Sequence, residues 1–101
     1  MVSKPGLIGK QKRFLRALGT GIDPIIQIGK AGITEAVLKQ VDEALEAREL
    51  IKVRVLNNHD DDPKNTGKIL AEKTGAELVQ VVGRNLLLYR RSSKKAVIEL
   101  P

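Results

Sequence analysis

The residues with most to offer chemically are Gly29-Lys30-Ala31-Gly32, a lysine inside a pair of glycines that leads within two residues into a predicted helix. A helix N-terminus presents backbone N–H groups without intrahelical partners and the positive end of the helix dipole, so it favours an anion, with phosphate the natural one. Glycines at 29 and 32 allow positive φ and let a sugar–phosphate backbone come close without a Cβ clash, while Lys30 adds a compact positive charge. The motif is not a nucleotide P-loop, because Pro24 stands where the first glycine would be and no Ser or Thr follows Lys30. Gly19-Thr20-Gly21 likewise lacks the third glycine of a dinucleotide fingerprint.

Other chemistry is sparse. The single histidine, His59, lies in the polar stretch Asn57-Asn58-His59-Asp60-Asp61-Asp62, which reads as a solvated loop. That stretch lacks the glycine and terminal glutamate of a calcium loop, and one histidine without cysteine is too little for zinc. No pair suited to nucleophile and base can be located. The expectation is a binding protein, not an enzyme, with no cofactor and no metal.

The elements that must hold the glycine-bracketed loop follow from periodicity. Before Leu7 the chain is expected to be loose. From Leu7 to Leu18, apolar Leu7, Phe14, Leu15 and Leu18 recur at helical spacing with Lys10, Lys12, Arg13 and Arg16 opposite, which predicts an amphipathic helix with a basic face and Phe14 in the core. Ile25 to Ile28 reads as a short buried strand. Thr34 is placed to cap a helix reaching about Arg48, with Val37, Leu38, Val41, Ala44 and Leu45 inward and Glu43, Glu46 and Glu49 toward solvent. Leu50 to Leu56 alternates, setting Ile51, Val53 and Val55 on one face and Lys52 and Arg54 on the other. Asp62 caps and Pro63 opens a third helix that ends at Gly75, weakened at Gly67 by about 1 kcal/mol relative to Ala. Glu77 to Val82 and Leu86 to Tyr89 form a hairpin around Gly83-Arg84-Asn85. The result is an α/β fold in the order α-β-α-β-α-β-β, with a four-stranded mixed sheet and packed helices. It is one domain over residues 1–101, with a core at about 7–91 and a basic, mobile tail at 92–101.

Charge suggests the partner. The 101 residues carry 18 Lys and Arg against 12 Asp and Glu, a net charge of +6, which favours a polyanion. Residues 1–32 are net +5, residues 33–62 net −4 and residues 63–101 net +5. One basic surface therefore requires the fold to bring the two ends together. Cysteine is absent, which suits a reducing cytoplasm, and neither a membrane-spanning apolar run nor a secretory leader is visible. A membrane partner is not expected, and the chain is expected to act as a monomer. Two aromatic residues, Phe14 and Tyr89, are too few for base stacking, so contact with the backbone and shape of a folded RNA fits better. A G-x-x-G loop clamps backbone nucleotides in KH domains in the same manner.

Several separated segments resemble a known family. Gly9-Lys-Gln-Lys-Arg-Phe-Leu-Arg-Ala-Leu, Pro24-Ile-Ile-Gln-Ile-Gly-Lys-Ala-Gly-Ile-Thr-Glu, Glu49-Leu-Ile-Lys-Val and Gly83-Arg-Asn-Leu-Leu-Leu-Tyr-Arg occur in the order seen in the CRM domain. That domain is named for chloroplast RNA splicing and ribosome maturation, and the likeness is to its stand-alone bacterial YhbY-type form. The resemblance implies a fold similar to the C-terminal domain of translation initiation factor three and association with precursor large ribosomal subunits. It assigns RNA contact to Gly29, Lys30, Ala31 and Gly32 and to Lys10, Lys12, Arg13 and Arg16. Lys52, Arg54, Arg84 and Arg90 are added as basic candidates. A splicing or RNA-folding cofactor, or an adaptor whose acidic second helix docks a protein, are the alternatives.

Overall fold

The computed structural model describes residues 6–101. Of the loose start expected before Leu7, residues 1–5 lie outside that range. The elements are α1 (Gly9–Gly19), β1 (Pro24–Ile28), α2 (Glu35–Arg48), β2 (Leu50–Val55), α3 (Pro63–Thr74), β3 (Glu77–Val82) and β4 (Asn85–Tyr89). The expected order holds, and the class is α/β.

The strands form one sheet in the order β1-β2-β4-β3. β1 and β2 run parallel, as the α2 crossover permits, while β2 with β4 and β3 with β4 are antiparallel. Period-two alternation splits the sheet residues between two cores. Ile26, Ile28, Ile51, Val53, Val55, Leu86 and Leu88 pack beneath α2 and α3, whose contributions are Val41, Leu45, Leu70 and Ala71. On the other face, Leu50, Val79, Leu87 and Tyr89 pack against Leu15 of α1. The fold is thus three layers, with two helices on one side and one on the other.

Two glycines set how closely helices approach. A Cβ on Gly19 would stand 2.7 Å from Leu87 Cδ2, and one on Gly67 would stand 3.0 Å from both Leu78 methyl carbons. The apparent weak point in α3 is therefore what lets that helix lie against the sheet. Because α1 buries only Leu15 and Gly19, its apolar arc is narrower than the sequence suggests. Phe14 and Leu18 are 37% and 41% exposed, so the placement of Phe14 in the core is corrected. Among the described residues, no helix is long and apolar enough to cross a membrane.

The expected mobile tail is also corrected. Glu46 Oε2 accepts the N–H groups of Ser93 and Lys94 and the hydroxyls of Ser92 and Ser93. Glu49 accepts the N–H groups of Ser92, Val97 and Ile98, each at 2.7 Å. Ile98 and Leu100 then pack on the α1-side core. The tail is docked because two carboxylates from the end of α2 supply acceptors to backbone that has no strand to pair with.

Candidate nucleic-acid interface

β1 ends at Ile28 and the chain turns at once. The Gly29 carbonyl accepts the Gly32 N–H at 3.0 Å, closing a four-residue turn with Lys30 and Ala31 exposed at its tip. Only Gly32 uses positive φ, at 75°. Gly29 has no such backbone demand, and a Cβ there would make ordinary contacts with Asn58 Oδ1 at 3.4 Å and Leu56 Cδ1 at 3.5 Å. Thr34 caps α2 by accepting the Val37 N–H at 3.1 Å. The earlier N–H groups, on Glu35 and Ala36, have no acceptor inside the helix. The Glu35 carboxylate already complements the dipole at this end, which leaves Lys30 as the stronger attraction for an anion.

The turn is backed by the loop between β2 and α3. Leu56 N–H donates to the Ile28 carbonyl at 2.8 Å, and His59 N–H donates to the Leu56 carbonyl at 3.1 Å. The His59 ring is half-buried, with Nδ1 3.2 Å from the Gly29 carbonyl and Nε2 2.9 Å from Thr66 Oγ1. A carbonyl can only accept, so Nδ1 carries the hydrogen and donates it. The reading of His59 as a solvated side chain is corrected by these contacts. Arg84 adds to the same framework, donating from Nε to the Val55 carbonyl at 2.7 Å and from Nη2 to the Leu56 carbonyl at 2.8 Å. Its guanidinium holds the base of the backing loop.

The remaining basic candidates separate by position. At about 100° per residue, Lys10 and Arg13 project away from the sheet, while Lys12 and Arg16 share one flank of α1 and Phe14 and Leu18 the other. The Leu18 flank borders Ile22, Leu50 and Ile98, at the end of the sheet where β2 begins. Lys12 and Arg16 therefore look the opposite way, toward the part of the sheet that α1 leaves uncovered. That strip carries the register row Gln27, Arg54, Asn85 and Val82, and Arg54 is exposed on it. Half-buried Lys52 sits one row back, beside a cleft of about 250 Å³ lined by Gly19, Thr20, Gln80 and Asn85. The strip ends where β1 and β2 end, at the GKAG turn.

Arg90 belongs elsewhere. Tyr89 pairs with Leu50 and Asn85 with Arg54, so Arg90 lies a full strand length from the turn. Its guanidinium donates to Asp42 Oδ1 at 2.6 Å and to the Thr74 carbonyl at 2.8 Å, and reaches Glu46 Oε1 at 3.4 Å. It joins α2 to α3 and offers little to a ligand.

Two polar groups escaped the sequence reading because helical periodicity assigns both to a solvated face. Glu46 is held down to about 2 by the Ser93 hydroxyl above all, against the opposing effect of burial, with Ser92 and the N–H groups of Ser93 and Lys94 adding to it. Burial pushes the Glu49 carboxyl up, but the three tail N–H groups and the Arg91 charge together hold it below the usual range. The available signal was Glu49 itself, standing after the last helical residue where a glycine is the usual choice.

These features define a three-layer α/β domain with a basic, glycine-bracketed turn at the end of two parallel strands. The chain belongs to the CRS1 / YhbY (CRM) domain family, whose model matches residues 7–90. It is 46% identical over 95 residues to the "Probable RNA-binding protein YqeI" of Bacillus subtilis, covering 94% of this chain and 99% of that one. A 33% identity over 78 residues links it to the chloroplastic CRM-domain containing factor CFM2 of Arabidopsis thaliana, covering 77% of this chain but 8% of that protein. The solution structure of hypothetical protein SAV1595 from Staphylococcus aureus superposes with a TM-score of 0.79 at 56% identity, covering 94% of this chain and 99% of that one.

Proposed function

We propose that this protein binds structured RNA of the precursor large ribosomal subunit, capturing backbone phosphates with the GKAG turn and the basic residues that line the uncovered strip of sheet. The observation that carries this reading is Lys30, exposed at the tip of a closed turn that is backed by a second loop. The Bacillus subtilis relative, named as an RNA-binding protein, supports the partner class. Lys12, Arg16, Lys52 and Arg54 are the accessory contacts on that strip, with Lys10 and Arg13 adding charge from the outer side of α1. Arg84 and Arg90 leave that set, since their donors are engaged within the fold. An adaptor reading that relies on an acidic α2 would rest mainly on exposed Glu35 and Glu43, since Asp42 and Glu46 pair with Arg90 and the tail.

Binding of precursor large-subunit ribosomal RNA, followed across a salt series, tests the proposal. Neutralising about five phosphates gives a log–log slope of about −3.5 to −4.5. Lys30→Ala is expected to weaken binding and make the slope shallower by about 0.7 to 0.9, one phosphate's share. Affinity indifferent both to salt and to Lys30→Ala would remove phosphate capture as the mechanism.

A further inference from the structure

The phosphate-capture reading makes no use of the contact behind the turn. There the Gly29 carbonyl accepts two hydrogen bonds, from Gly32 N–H at 3.0 Å and from His59 Nδ1 at 3.2 Å. On the far side of the ring, Nε2 lies 2.9 Å from the hydroxyl of Thr66, a buried residue in the first turn of α3. The ring also reaches the other glycine, since a Cβ on Gly32 would stand 3.6 Å from His59 Cε1. One imidazole thus meets both ends of the turn and ties them to a helix that takes no part in the turn itself.

We propose that His59 is a positioning residue for RNA capture, a strut that holds the GKAG turn in its phosphate-accepting shape from behind. This rests on the turn being the phosphate-binding element. Two physical effects support the assignment. A turn bracketed by glycines has more backbone states to lose on binding than most, and a strut that removes those states beforehand lowers the ordering cost. The Gly29 carbonyl is the negative end of a peptide dipole, and a bond drawing it toward His59 keeps that oxygen away from the side on which Lys30 would meet a phosphate. His59 itself is half-buried behind the turn and contributes no direct contact.

The two ring nitrogens can be tested separately. In His59→Asn the side-chain amide nitrogen takes roughly the place of Nδ1 and keeps the Gly29 bond, whereas in His59→Gln it takes that of Nε2 and keeps only the Thr66 contact. His59→Ala is expected to weaken binding of precursor large-subunit ribosomal RNA about three- to tenfold, the span of one net hydrogen bond. In the free protein it is expected to speed hydrogen exchange at the Gly32 amide by a similar factor. His59→Asn should recover most of both losses and His59→Gln little of either. If His59→Ala proves too unstable to assay, Thr66→Val releases the ring's outer anchor together with the hydroxyl's 2.9 Å bond to the Asp62 carbonyl, and the same exchange measurement applies with a smaller expected effect. Unchanged Gly32 exchange in the altered protein, or better rescue by Gln than by Asn, would overturn the strut. Loss of RNA affinity in His59→Ala while Lys30→Ala binds normally would also overturn it, by showing that His59 acts apart from the phosphate site; normal binding by Lys30→Ala alone would remove the parent reading.

Discussion

Glu49 ends α2 with φ at 68° and ψ at −39°, close to the strained conformation at the centre of a classic-type γ-turn, and it is wholly buried. A buried carboxylate in a disfavoured backbone shape persists only where partners offset both costs, and here three tail N–H groups at 2.7 Å do so. Removing the side chain strands those donors or releases the tail, so Glu49→Ala is expected to destabilise the fold by about 2–4 kcal/mol in urea unfolding. Glu49→Gly loses the same acceptors but relieves the backbone, and should be about 1 kcal/mol less harmful than Glu49→Ala. Equal losses from the two variants would show that the positive φ carries no strain. Residue-scale chemistry of this kind was only partly legible in the sequence. The turn that carries Lys30 could be read because Gly29 and Gly32 bracket it. His59, Glu46 and Glu49 could not, because each has partners distant in sequence and local polarity alone assigns them to water.

Elements were more legible, since hydrophobic periodicity and capping residues act over short range. Thr34 and Asp62 cap α2 and α3 as expected, each accepting an N–H three residues on. Where periodicity misled was α1, which buries a narrow stripe of Leu15 and Gly19 instead of a broad arc. It approaches the sheet tightly at Gly19, where any Cβ would meet Leu87. Gly19→Ala should gain slightly in helix propensity yet lose about 1–3 kcal/mol by overpacking, measured as a lower unfolding midpoint. Shortening Leu87 to Val in the same chain should recover part of that loss. Arg84 illustrates the limit of reading elements alone. Its place in a hairpin turn suggests a free cation, but the turn delivers it to the carbonyls of Val55 and Leu56, which end a different strand.

At the scale of the whole molecule, the basic ends of the chain do come together, as Gln11 Nε2 donating to the Pro101 carbonyl at 3.3 Å records. They meet at the pole where β2 starts, while the GKAG turn stands at the pole where it ends. The acidic middle is what gathers the tail, through Glu46 and Glu49. Both carboxyls titrate lower in the folded chain than unfolded, so in acid the unfolded chain binds more protons and folding weakens. Their contribution is complete above the ordinary carboxyl value of 4.5 and is lost as pH falls below it, for Glu46 toward about 2. Thermal unfolding followed from neutral pH into that window should show a falling midpoint, and Glu46→Gln should flatten the fall. An unaltered pH profile in that variant would mean that the Glu46 contacts add nothing to stability.

Gly6 approaches the carboxylate of Glu77 at the same pole that holds Gln11 and Pro101, so the described chain enters and leaves the domain on one side. Both ends of the described chain thus stand a strand length from the GKAG turn.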